Sequence, residues 1–116
     1  MSTLKEKILA AQDCSSEEIE VPKWGVTIEM RGMSGKSRSR IMGIVMDKDG
    51  NVNQDKLYPM LLIACCYDPE TNEPIFEDGD EEDILSRSGE ILEDLAQHAS
   101  RLSGIGTEAL KEAEKN

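Results

Sequence analysis

The sequence predicts an α+β fold that is mainly helical, in which a small N-terminal β-hairpin packs on a few short helices. Two observations predict this class. Residues 18–30 alternate polar and apolar side chains on either side of a Pro-Lys-Trp-Gly turn, which is typical of a hairpin. Apolar side chains in residues 34–46 and 88–102 instead recur at three- and four-residue spacing, which indicates helices with one buried face.

Length and charge limit the classes of function. A chain of 116 residues is enough for one domain with one modest core. The formal net charge of −11 repels phosphate backbones and argues against nucleic acid as a partner. The longest apolar run, residues 60–66, is too short to cross a bilayer, so no membrane partner is predicted. An odd count of three cysteines, two of them adjacent, favours reduced thiols over a disulfide framework.

The N-terminal part is predicted to hold a short helix followed by the hairpin. Residues 3–6 are typical of a capping box, and the helix that they begin is expected to end near Gln12. The hairpin follows over residues 18–30. Trp24 at its turn is expected to clamp it onto the helices rather than to serve as a platform for a ligand. The apolar face of the short helix carries Leu4, Ile8 and Leu9.

The middle of the chain is predicted to contain two helices. Ser34 caps the first, over residues 34–46, and a polar turn follows it. The second covers residues 54–66, and Pro59 is compatible with it only in the first turn, where no N–H is needed. A buried strand over residues 61–67 is the alternative, because a short apolar run suits either structure.

The C-terminal part begins with a turn over residues 68–74 and an acidic run over residues 77–83. That run places carboxylates at the start of a helical turn, where the helix dipole favours them. Ser88 is predicted to cap the last clear helix, and Gly104 to close it. One face of this helix carries Ile91, Leu92, Leu95, Ala99 and Leu102.

We expect one domain over residues 1–104 and a flexible tail over residues 105–116, in which residues 107–115 have weak helical character. The most apolar part of the predicted domain is residues 57–76, which contain both tyrosines and the only phenylalanine. An apolar stretch of this kind must be buried, either in the core of the chain or against a partner. The residues alone leave both possibilities open.

Two motifs are typical of ligand sites but depart from the pattern that those sites need. Residues 32–37, GMSGKS, have two residues between the glycines where a nucleotide-binding loop has four. Around residues 47–53, DKDGNVN, the register of a calcium loop puts Val45 and Lys56 where the two anchoring carboxylates belong. We interpret them as a helix cap and a turn. His98 is the only histidine, and neither Cys65 nor Cys66 has zinc-ligand spacing, so no catalytic residue, metal or cofactor is predicted.

Several short segments follow one another along nearly the whole chain: LAAQ (9–12), EIEVPKWGV (18–26), MRGMSG (30–35), LYP (57–59), YDPET (67–71), EPIF (73–76), RLSG (101–104) and AEKN (113–116). In their order and spacing they resemble the tail assembly chaperones of long-tailed bacteriophages, especially those of phages that infect actinobacteria. The resemblance covers nearly the whole chain, and none of its segments is a catalytic motif. Asn72 stands where many relatives carry glycine, and asparagine tolerates the same left-handed backbone.

The resemblance implies a protein without enzymatic activity that acts in the host cytoplasm and is absent from the virion. Such chaperones bind the long tape measure protein, keep it soluble and promote polymerisation of the tail tube around it. A longer form made by a frameshift often contacts the tube protein, and this chain corresponds to the short form. Copies of the chaperone are also expected to associate along the tape measure.

A partner that covers apolar stripes of the tape measure must offer apolar surface of its own. The partner-binding candidates are Tyr58, Met60, Leu61, Tyr67 and Phe76. Two other classes stay open. A small acidic adaptor or regulatory domain that binds proteins has the same composition, and a nucleotide-using enzyme rests on residues 32–37 alone.

Overall fold

The computed structural model of the protein describes residues 3–105 and confirms the predicted class, a mainly helical α+β fold. A three-stranded antiparallel sheet in the order β1-β2-β3 lies beside the helices. The elements are α1 (Leu4–Ala10), β1 (Ser16–Val21), β2 (Val26–Arg31), α2 (Gly35–Val45), α3 (Gln54–Cys65), β3 (Cys66–Tyr67), α4 (Glu81–Leu85) and α5 (Gly89–Leu102).

The predicted hairpin is confirmed. Strands β1 and β2 pair antiparallel from Val21 opposite Val26 to Ser16 opposite Arg31. A short 3-10 turn at Pro22–Trp24 connects them, and it ends at a left-handed glycine with φ +67°. Strand β2 is central, because β3 pairs with its other edge.

The apolar run in the middle of the chain is buried by the chain itself. It forms helix α3, which is packed against α2, α4 and α5. The alternative strand over residues 61–67 is wrong for all but its last two residues, which pair with β2 as β3. A helix surrounded by other helices can bury apolar side chains on most of its faces, so an apolar run need not become a strand here. The buried side chains of residues 57–66 include Leu57, Leu61, Leu62, Cys65 and Cys66.

The expected place of Pro59 in the helix is wrong. Helix α3 begins at Gln54, so Pro59 lies in its second turn. A proline there has no N–H for the carbonyl of Asp55, four residues earlier, and one helical hydrogen bond is lost. Pro59 is itself among the fully buried side chains. Its contacts with the core offset the lost bond, which is the reason that the helix continues through it.

Helix α5 packs against both α3 and the central strand β2. Its N-cap is Ser88, whose side chain accepts from the N–H of Ile91, as predicted. Gly104 follows the helix with φ +73°. Ile105 is buried, and its N–H donates to Ser100 at 2.8 Å. The predicted domain boundary and tail stay predictions, since residues 106–116, with the weak helix over 107–115, lie outside the described residues.

The first helix is present, but its apolar face is exposed and none of its residues is buried. The side chain of Thr3 accepts from the N–H of Glu6 at 3.1 Å, which confirms the Thr3 half of the predicted capping box. The helix ends at Ala10 rather than near Gln12. Leu4, Ile8 and Leu9 are exposed by 74%, 61% and 74%. Helix spacing predicts which side chains share a face, but it does not say whether another element will cover that face.

Candidate functional site

Three of the five predicted partner-binding residues lie on α3, and two of them belong to the core. Leu61 is 0% exposed and Met60 is 8% exposed. Tyr58 is half-buried, and its hydroxyl accepts from Nε2 of Gln54 at 2.9 Å. In this state of the chain, therefore, Leu61 presents no surface to a partner, and Met60 presents little.

Tyr67 belongs to a group of side-chain contacts that connects the sheet to the turn after β3. The guanidinium of Arg31 lies 4.0 Å above the centre of the tyrosine ring, and Arg31 also pairs with Glu29 at 3.1 Å. The side-chain oxygen of Asn72 accepts from the same guanidinium. Asn72 has φ +68°, the left-handed backbone expected of it. Arg31 thus covers one face of the tyrosine ring.

Phe76 is the predicted residue that the structure places on open apolar surface. Together with Trp24 it lines two neighbouring grooves. Both rings are half-buried, with one part packed against the core and the other facing the grooves. We call this region the Trp24–Phe76 surface. Trp24 therefore does clamp the hairpin, as predicted, and it also presents a surface that the sequence did not predict.

The first groove has a volume of about 660 Å³ and an apolar floor. The floor combines the two rings with Ile84 of α4, which is 3% exposed. Charged side chains of both signs stand around this floor. They are Lys23, Asp80, Asp83 and Arg87.

The second groove has a volume of about 500 Å³ and runs along the start of β2. Its apolar lining includes Val26, exposed by 48%, and Ile75, exposed by 40%. The charged residues in its lining are carboxylates alone, Asp68 and Glu70. The two grooves together are the candidate protein-binding site.

Local sequence chemistry explains how the surface is built. The 3-10 turn that Pro22 begins carries Trp24 to the end of the sheet. After the 68–74 turn the chain returns along β3, where the N–H of Ile75 donates to Cys66 at 3.0 Å, and this places Phe76 beside the tryptophan. A reciprocal cap between Glu77 and Asp80 then starts the acidic run as a short 3-10 turn, as the predicted carboxylate-rich helix start implies.

The sequence did contain one signal for this surface. Val26, Ile28 and Met30 alternate on one face of β2. Ile28 and Met30 are buried, but the helices do not cover the first position, so Val26 stays exposed. Alternation identifies the apolar face of a strand, and only the packed structure shows where its cover ends.

The single histidine belongs to a polar cluster that joins β1 to α5. Oε1 of Glu17 lies 2.7 Å from Nδ1 of His98 and 2.8 Å from Nη2 of Arg101. Partial desolvation acts to raise the pKa of Glu17, but hydrogen bonds from Arg101 and His98 outweigh it and hold that pKa below its ordinary value. The cluster connects two elements, and it lies outside the linings of both grooves.

The two adjacent cysteines are core residues, as predicted. Burial raises the pKa of Cys65 to about 11, and burial with the neighbouring thiol raises that of Cys66 to about 12. Both groups are therefore neutral thiols near pH 7 and poor nucleophiles. Among the described residues, no group of three or more histidine, cysteine or carboxylate side chains could hold a metal ion.

The GMSGKS segment has a packing role. A Cβ on Gly32 would lie 2.3 Å from the carbonyl oxygen of Leu102 on α5, so a glycine is needed there. Ser34 then caps α2 by accepting from the N–H of Ser37, as predicted.

No helix within residues 3–105 has the length and apolarity to cross a membrane.

Comparison with known proteins identifies a fold relative. No family model matches the chain, and no curated protein matches it. Among solved structures, the chain is similar to the bacteriophage HK97 tail assembly chaperone, with a TM-score of 0.61 over 88% of this chain and 95% of that chain. The two sequences are 23% identical. The predicted resemblance to tail assembly chaperones is confirmed at the level of the fold.

Proposed function

We propose that this protein is a phage tail assembly chaperone that binds the tape measure protein, keeps it soluble and promotes polymerisation of the tail tube around it. The observation that carries the proposal is the fold shared with the HK97 chaperone over nearly the full length of both chains. The order of short segments along the sequence supports it independently. We further propose that the protein acts in the host cytoplasm and is absent from the mature virion.

The physical task of such a chaperone is to cover apolar surface reversibly. Long amphipathic helices associate through their apolar stripes unless another apolar surface covers them first. Each contact must be weak, because arriving tube subunits have to displace the chaperone. Many copies along one tape measure, in contact with one another, then protect it through avidity. The acidic run at residues 77–83 keeps the complex charged and dispersed.

Among the five predicted contact residues, Phe76 is the one that lines both grooves, and we propose it as the main contact with the partner. Tyr58 and Tyr67 are half-buried and offer part of a ring each. Met60 and Leu61 could contact a partner only if α3 separated from the core. We propose the tail tube protein as a second partner, reached mainly through a longer, frameshifted form of the chain.

Co-expression with the tape measure protein of the same phage tests the proposal. We expect the tape measure to be recovered in the soluble fraction and to co-purify with this chain. A tape measure that is equally soluble alone, or that never co-purifies, would contradict the proposal. The chain would then fit the alternative, a small acidic adaptor domain. That alternative is recognised when a host protein binds the chain and tail components do not.

A further inference from the structure

We propose that the Trp24–Phe76 surface binds an amphipathic α-helix whose apolar stripe is flanked by lysine or arginine, with the basic side chains over the second groove. This inference rests on the proposed function and names the class of ligand that the site takes. Three features of the surface carry it: the backbone of the nearby strand, the division into two grooves, and the distribution of charge.

The direction of backbone groups in β2 limits what could bind beside it. The N–H of Gly32 donates to the carbonyl of Ser15 at 2.8 Å, which continues the pairing of β1 with β2. Backbone groups alternate in direction along an antiparallel strand. Ile28 and Val26 lie an even number of residues from Gly32, so their N–H and carbonyl groups point toward β1. The N–H and carbonyl of Thr27 point the other way, toward the second groove.

Beside the second groove, only one residue of β2 lacks a strand partner on the edge that faces β3. Strand β3 pairs with Glu29 through Tyr67, and the chain then turns away at Asp68. Thr27 lies in the lining of the groove, beyond the end of this pairing. An added strand would find a partner at one residue and leave its other backbone groups unpaired, which is costly. A helix satisfies its own backbone, so a helical ligand fits better.

The division into two grooves leaves room for more than one apolar side chain from the same face of a helix. The rings of Trp24 and Phe76 line both grooves and stand between Ile84 on one side and Ile75 on the other. Side chains four residues apart on a helix lie about 5–6 Å from each other on the same face. Two such apolar side chains can enter one groove each and straddle the aromatic pair. The two rings then serve as the central anchor of the interface.

The charges around the grooves predict the charge of the ligand and its orientation. Asp83 at the first groove and Glu70 at the second have carboxylates that pair with no other group in the part of the chain that the structure describes. Lys23 and Arg87 balance the carboxylates of the first groove, but no cation lines the second. A basic side chain gains most over the second groove.

A labelled peptide of about 20 residues tests the proposal, long enough to form several helical turns. Its sequence repeats leucine at helical spacing with lysine on either side of the stripe, and a scrambled peptide of the same composition is the comparison. We expect the patterned peptide to bind by fluorescence anisotropy and the scrambled one to bind far more weakly. Equal binding of the two would show a response to charge alone and would overturn the proposal.

The apolar part of the site has a matched control within the chain. Ile75 and Ile44 are both 40% exposed, but Ile44 lies on α2 outside both grooves. Ile75→Asn is expected to weaken binding of the patterned peptide about fivefold or more, as for an interface anchor, and Ile44→Asn to change it less than about twofold. Equal losses for the two variants would place the site elsewhere.

The charged part is tested with two variants that have the same net charge. Glu70→Gln and Glu90→Gln each remove one negative charge, and Glu90 is an exposed residue in the first turn of α5. Only Glu70→Gln should weaken binding of the patterned peptide, because only Glu70 lies at the groove. The same variant should reduce the dependence of peptide affinity on salt between about 50 and 300 mM. An identical salt response in both variants would contradict a basic ligand at the second groove.

The outcomes separate this inference from the proposed function. If the tape measure protein co-purifies equally well with the wild type and with Ile75→Asn, the chaperone function stands and this site is wrong. If the patterned peptide binds at the grooves but the tape measure protein does not co-purify, the ligand class stands and the proposed function is wrong. If Ile75→Asn lowers the mass of the chain alone in sedimentation, the occupant is a second copy, and the proposal is overturned.

Discussion

Gly32 packs so closely against Leu102 that a Cβ on the glycine would lie 2.3 Å from the leucine carbonyl oxygen and 2.9 Å from its carbonyl carbon. This contact joins the residue after β2 to the last turn of α5. The next residue strengthens the junction, because the N–H of Met33 donates to the side chain of Ser103 at 3.0 Å. The end of the sheet and the end of the long helix are therefore held together by a close backbone contact at Gly32 and a hydrogen bond from Met33 to Ser103.

The first prediction compares two glycine-to-alanine variants. Gly32→Ala should lower the free energy of unfolding by about 1–3 kcal/mol, since the added methyl meets backbone that cannot move alone. Gly43→Ala in α2 should instead raise it by about 0.5–1 kcal/mol, because its Cβ meets nothing within 4 Å and alanine favours a helix. Urea unfolding of both variants measures the effects. A neutral Gly32→Ala would contradict the close contact with α5.

The second prediction concerns thiol reactivity. Cys14 is exposed, whereas Cys65 and Cys66 are buried neutral thiols with pKa values raised to about 11 and about 12. A thiol reagent at pH 8 should label Cys14 quickly and the other two only on unfolding. Because the raised pKa values belong to the folded state, stability should also fall as the pH rises above 9.0, where unfolded thiols ionise. Fast labelling of all three in the native protein would refute the prediction.

The third prediction concerns acid unfolding. The folded pKa of Glu17 lies below its ordinary value of 4.5, so its ionisation stabilises the chain above that pH and the effect is lost as the pH falls through the folded pKa. Glu17→Gln should lower the melting temperature near pH 7 and have little further effect at the acid end of the transition. Arg101→Gln, which removes a partner, should act in the same direction. A melting temperature unchanged by Glu17→Gln at pH 7 would contradict the cluster.

The fourth prediction separates core from surface among the sequence-predicted contact residues. Leu61→Ala should cost about 2–5 kcal/mol of stability, because it leaves a cavity around a fully buried side chain. Phe76→Ala should cost less, since part of the ring faces the grooves, but it should weaken co-purification of the tape measure protein. Melting curves and pull-downs on the same samples measure both effects. If Leu61→Ala loses binding at temperatures where the chain stays folded, the partner binds at α3 and the prediction is wrong.

The sequence by itself determined the elements whose cause is local. Ser34 and Ser88 precede helical periods and cap their helices by hydrogen bonds within three residues. Alternation on both sides of the Pro22 turn determined the hairpin, because side-chain direction in a strand depends on position along it alone. The acidic run likewise starts a helical turn, where the helix dipole favours carboxylates.

Only the tertiary structure decided which apolar side chains are covered. Leu61 and Leu9 both lie in predicted helices, yet one is 0% exposed and the other 74%. Phe76 and Trp24 lie 52 residues apart in the chain, and their shared surface exists because the return along β3 brings them together. Burial depends on where distant segments meet, and no local pattern contains that information. The residues of the candidate binding site can all be read from the sequence, but that they lie together is decided only by the packing of the chain.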